Sequence, residues 1–139
     1  MSETFLLVTA GHLRVALAVG QLEAVTDGAE VVPVPVAEPA MAGVTTARGE
    51  TVPVISLARL LGTPAPRGAD VFVLVRSGGI RLCLAVEAAE TLARGDVLPL
   101  PADSAMPWAR AVLREGDTLV PLLDLEALAE RLAATGRAS

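Results

Sequence analysis

A chain of 139 residues is long enough to bury one substantial core, while a single cysteine and a single histidine exclude an internal disulfide and a conventional metal site. The net charge is −5 and all eleven basic residues are arginines scattered singly, so nucleic acid and an anionic membrane surface lack the basic stripe they would need. Hydrophobic residues make up 53% of the chain, yet Phe5, Phe72 and Trp108 are its only aromatics, so the core must be built from Val, Leu and Ala. That palette favours strands.

In chain order, "FLLVTAGHLRVALAV" is two apolar runs parted by Gly11 and His12, a hairpin pattern. "LEAVTD" continues as a strand or bend, Gly28 turns it, and "VVPVPV" is held extended because each proline fixes its own φ and pushes its predecessor into the β region. Pro33, Pro35, Pro99 and Pro101 read as punctuation at strand edges. "VTTAR" and "TVPVI" join at Gly49-Glu50, where glycine permits a tight reversal. Ser56 is placed to cap a short helix "LARLLG" that Gly62 ends, and "TPAPRGAD" reads as a loop. The second half opens with another hairpin, "VFVLVRSGGIRLCLAVE". It closes with a helix from Asp124, in which Leu125, Leu128 and Leu132 share one face, and the tail "ATGRAS" is expected to be loose.

The halves match each other. "RVALAVGQLEAV" from Arg14 answers "RLCLAVEAAETL" from Arg81, "VPVP" answers "LPLP", and "VPVISL" answers "VPLLDL". Leu17 falls on Leu84, Val19 on Val86 and Glu23 on Glu90. The expected architecture is all-β with minor α: one domain of two similar small lobes of about five strands, with repeat halves at approximately 14–62 and 81–132. A curled sheet of that size is expected to close on itself and so remove its edges.

The ordered series of hairpin, "VPVP", "GVTTARGETVPVISLARLLG" and terminal "VPLLDLEAL" resembles the CheW-like family of chemotaxis coupling proteins over about residues 5 to 132. The resemblance implies two intertwined SH3-like β-barrels and a short C-terminal helix. It also implies a cytoplasmic, non-catalytic adaptor of two-component signalling that needs no cofactor. Such an adaptor links the cytoplasmic tip of methyl-accepting chemoreceptors to the regulatory domain of the histidine kinase CheA, with no direct membrane insertion. On the family's pattern Gly43, Thr46, Arg48 and Gly49 fall in the partner-binding motif, and Gln21, Leu22 and Glu23 lie along the strand bordering the receptor groove. The chain departs from that pattern at Ser56 and Glu87, where aspartate is usual, at "TTAR" in place of NLR, and at Gln21.

A guanidinium on a strand next to a glycine turn presents a rigid fork of donors, and with Glu23 as the carboxylate that the resemblance to the family matches to it, an ion pair between Arg48 and Glu23 is expected. Propping the strands of its own lobe is an equally good reading of Arg48. Cys83 reads as a buried, inert thiol, and Trp108 as a lobe anchor or an interface hot spot. Glu23 and Glu90 as paired catalytic acids lack any sign of a pocket, and repeat symmetry accounts for their matching positions. A divergent scaffold that binds only one of the two partners, or another signalling protein, is the alternative; a small-molecule barrel or enzyme finds no phosphate loop or clustered polar residues to support it.

Overall fold

The computed structural model describes residues 3–35, 38–64, 71–101 and 108–138, with side chains described for 4–133 of these. The greater part of the expected loop at 63–70 and the stretch 102–107 lie outside the described residues. The chain forms β1 (Glu3–Ala10), β2 (Leu13–Ala18), a 3-10 turn (Val19–Gln21), β3 (Leu22–Thr26), β4 (Met41–Ala47), β5 (Glu50–Ser56) and α1 (Leu57–Leu61). The second half contributes β6 (Val71–Ser77), β7 (Ile80–Val86), β8 (Ala88–Leu98), β9 (Ala109–Glu115), β10 (Thr118–Leu123) and α2 (Leu125–Ala138). Mostly strands in two five-stranded sheets, this is the all-β, two-lobed architecture that the sequence implies.

Each sheet draws on both halves. One is a closed barrel in the order β1-β2-β10-β9-β8; the other runs β3-β6-β7-β5-β4. The hairpin of each half has thus crossed into the lobe made by the last three strands of the other. Its second strand docks there in parallel, with Ala16 opposite Leu122 in one lobe and Cys83 opposite Val54 in the other. The offset that brings Leu17 onto Leu84 also brings Ala16 onto Cys83, so the two junctions are equivalent.

Crossing over explains the unbroken apolar runs. Leu6, Val8, Val15 and Leu17 face a core between the lobes, which also takes in Val73, Val75, Leu82 and Leu84. Phe5, Leu7 and Ala16 face the inside of the closed barrel, and Leu74, Cys83 and Ala85 the inside of the other lobe. A strand buried on both faces has no polar side to alternate with.

The helices follow their caps. Ser56 Oγ accepts from Arg59 N at 3.4 Å and Gly62 ends α1 at φ 71°, as the sequence indicates. Asp124 Oδ1 accepts from Ala127 N at 3.0 Å, and Leu125, Leu128 and Leu132 lay one face of α2 on the core between the lobes. The helix runs on through Ala138 rather than loosening at 134; Gly136, at a cost of about 1 kcal/mol relative to alanine, does not end it.

Closure on both sides is the expectation the structure corrects. In the closed lobe, β8 is eleven residues long and pairs with β1 and then, over Asp96–Leu98, with β9. In the other lobe β3 is only five residues long and pairs with β6, and its continuation reaches β4 through one isolated bridge, Val32 with Val44, and a hydrogen bond that Thr45 Oγ1 donates to the Glu30 carbonyl at 2.7 Å. The sequences differ here: Gly28 to Val32 is one residue longer than the matching Gly95 to Leu98. An inserted residue shifts the register beyond it unless a bulge absorbs it, in keeping with the shorter ladder of this lobe.

Candidate partner-binding site at the mouth of the open lobe

The β4–β5 hairpin turns through Arg48 (φ 52°) and Gly49 (φ 78°). Two successive positive φ values mark a type I′ turn, for which Asn-Gly is the relaxed sequence; an arginine in the first position carries backbone strain of about 1 kcal/mol. The reversal sits one residue earlier than Gly49-Glu50, and Arg48 belongs to the turn rather than to a strand. Its side chain stays 55% exposed at the lobe rim.

Glu23, two residues into β3, faces this turn. Arg48 Nη2 donates to the Glu23 backbone carbonyl at 3.1 Å, and Arg48 Nε lies 3.9 Å from Glu23 Oε2. The expected pair is therefore present at the edge of ion-pair distance. The carboxylate's main partner is Arg81 on β7, whose Nε donates to Oε1 at 2.6 Å and whose Nη2 donates to Oε2 at 3.3 Å; Arg81 Nη1 also holds Glu50 Oε2 at 2.8 Å. Hydrogen bonding by Arg81 holds the Glu23 carboxyl below the usual carboxylate range, with further help from the charges of Arg48 and Arg76.

Arg81, Arg76 and Glu50 escaped the motif reading. Repeat matching carried the signal, since Arg14 aligns with Arg81 and Glu23 with Glu90. In the closed lobe Arg14 Nε holds Glu90 Oε2 at 2.8 Å and its Nη2 reaches Glu115 Oε1 at 3.4 Å. The arginine–glutamate pair is thus built twice, each time joining strands from opposite halves, while the second acid differs: Glu115 falls on Arg48 in the repeat and Glu50 on Asp117.

Of the other expected site residues, Thr46 stands on β4 opposite Thr51 and is exposed beside the turn. Gly43 lies at the far end of β4 and packs instead of presenting: a Cβ there would come within 2.3 Å of the Val32 carbonyl oxygen, so glycine is what lets the bridge to Val32 form. Gln21, in the 3-10 turn, and Leu22, which packs against the core between the lobes, sit at the junction of the lobes. The structure accordingly gathers Glu23, Thr46, Arg48 and Gly49 at one rim and leaves Gly43, Gln21 and Leu22 apart from them.

Behind the rim, between β3, the 28–32 segment and β4, opens a cavity of about 860 Å³, lined at its floor by Ala24, Phe72, Leu74 and Cys83. Burial pushes the Cys83 thiol up to about 11, in keeping with an unreactive cysteine. Glu87 keeps Oε1 buried without a hydrogen-bond partner among the described residues. At the opposite side of the molecule Arg131 on α2 donates to Glu38 Oε2 at 2.7 Å and stacks over Trp108 at 5.1 Å, anchoring Trp108 against the core between the lobes. Among the described residues no three His, Cys, Asp or Glu side chains gather as metal ligands, and no helix is long and apolar enough to cross a membrane.

A family model described as "CheW-like domain" matches residues 4–133. A search by sequence among curated proteins gives no match. Among solved structures, the chain is similar to the scaffolding protein TtCheW from Thermoanaerobacter tengcongensis, with a TM-score of 0.80 and 16% identity, covering 88% of this chain and 89% of that one. At such identity the likeness speaks for the fold.

Proposed function

The chain belongs to the CheW-like domain family, and from that premise we propose that it is a non-catalytic, cytoplasmic adaptor of chemotaxis-type signalling that couples chemoreceptor tips to the regulatory domain of the histidine kinase CheA. The observation that carries this reading is Arg48. A guanidinium is kept in a strained turn position, mostly exposed, and braced from behind by the Glu23 carbonyl. Strain retained at a surface position marks a contact more often than a prop, because a prop could be had without it. The rigid fork suits a carboxylate or backbone carbonyls of a partner.

On this reading Glu23, Thr46, Arg48 and Gly49 form the contact rim. Gln21 and Leu22 border the groove between the lobes, where an amphipathic helix of a receptor tip can lie, and Gly43 acts by shaping the strand that presents the rim. Two modest contacts suffice where partners are held in an array, since tethering supplies a high effective concentration.

The test is Arg48→Asn, which relaxes the turn while removing the guanidinium. Pull-down with a CheA regulatory domain and, separately, with a receptor cytoplasmic fragment should show both bound by the parent chain and at least one lost from a variant that is folded and no less stable. Undiminished capture of both partners by the variant would refute the site. Capture of neither by the parent chain would refute the adaptor role.

A further inference from the structure

The interiors of the two lobes differ in what fills them. The closed barrel is packed by Phe5, Leu7, Leu113, Val120 and Leu122. The corresponding interior of the open lobe is made of Val52, Val54, Leu74, Cys83 and Ala85, with Ala24, Ala47 and Phe72 only half-buried against it. The cavity's volume of about 860 Å³ falls within the range of small-molecule sites, and mouths of β-barrels are a common place for them.

Its chemistry is two-sided. The floor, of Ala24, Phe72, Leu74 and Cys83, is apolar, while Thr26, Thr46, Thr51 and Arg48 line its polar wall. Around that wall the guanidiniums of Arg48, Arg76 and Arg81 act on Glu23, and Glu50 is the second carboxylate of the cluster. Counting Glu30 on the loop side, three positive charges meet three negative ones, so there is no net excess of either sign. Glu23 and Glu50 are both held closely by Arg81, which leaves Arg48, whose nearest acidic oxygen is at 3.9 Å, the least closely paired of the ion-paired cations. Glu30 lines the loop side of the cavity and repels an anion there, which fixes the direction in which a charged guest would point.

We propose that this cavity binds small amphipathic carboxylates, with the apolar body against Phe72, Leu74 and Cys83 and the anionic head at Arg48 and the threonine hydroxyls. Cys83, the sole cysteine of the chain, sits buried at the floor.

The experiment follows the backbone amide shifts of Thr26, Thr46, Arg48 and Leu74 in the full chain as octanoate is added, with 1-octanol as the neutral counterpart. Octanoate should shift those amides saturably and bind about tenfold more tightly than 1-octanol. Arg48→Asn, a substitution at an exposed turn, should bring octanoate down to the level of octanol. Unchanged amide shifts in the presence of octanoate would overturn the proposal, as would equal affinity for the two compounds, or equal affinity of octanoate for the parent and for Arg48→Asn.

Discussion

In the closed lobe Phe5, Leu7, Leu113 and Leu122 have no exposed surface and an eleven-residue strand seals the barrel; in the open lobe the interior is valine, alanine and a cysteine beside Leu74 and a half-buried Phe72, and one isolated bridge with one side-chain hydrogen bond joins the end strands. Both are built from the same duplicated pattern, with matching hairpins, matching parallel junctions and matching arginine–glutamate pairs. They differ by one residue between a glycine and the extended proline segment, and by the size of the side chains that point inward. A sheet's register is discrete, and where no bulge absorbs an extra residue the ladder is cut short, here to the bridge of Val32 with Val44. Apart from Leu74 and Phe72, the open lobe has small interior side chains with a cavity.

The sharpest test of this contrast is one substitution made in both lobes. Leu113→Ala in the closed barrel should cost about 4 kcal/mol, because a sealed interior cannot collapse around the void, whereas Leu74→Ala at the cavity floor should cost about 2 kcal/mol. Urea denaturation of the two variants reads the difference, and equal costs would mean that the lobes are equally packed.

Next in size, Gly43→Ala would drive a Cβ against the Val32 carbonyl and should cost about 2 kcal/mol. Amide exchange should quicken at Val32 and Val44, whose backbone groups bond each other at 2.8 and 2.9 Å, and leave β9 protected. Deleting Ala29 should do the reverse. It restores the spacing of the closed lobe, and gaining one or two ladder bonds along β4 would add about 1 kcal/mol, read as new amide protection around Thr45 and Thr46.

The smallest expected effect concerns acid. Arg81 holds the Glu23 carboxyl below its ordinary value, so on acidification the unfolded chain takes up that proton first. The cluster's contribution is complete above the ordinary glutamate value of about pH 4.3 and is lost as pH falls through the lower folded value. Glu23→Gln should lower stability at neutral pH and flatten the acid limb of the stability profile. A profile parallel to the parent's would show that the cluster lends the open lobe nothing.

Much of the site could be read in advance where a local signal existed. Ser56, Gly62 and Asp124 mark helix ends by capping chemistry, and the reversal at Gly49 follows from glycine beside two apolar runs. Arg48 and Glu23 were placed together by the family's pattern. Arg81 was not, because its contact with Glu23 spans 58 positions and depends on the hairpin crossing from one half into the other's lobe. Gly43 looked like part of the binding motif, yet its role is close packing against Val32, something no spacing rule records.

Composition and pattern alone pointed to a strand-rich chain with two matching halves and a likeness to the CheW-like family, since the strand and cap preferences involved are satisfied within a few neighbouring residues. Only the tertiary structure decided which halves share a barrel, which arginine holds Glu23, and that one lobe is sealed while the other stands open. Those outcomes rest on long-range pairing, in which a strand's register must be met from a distant part of the chain.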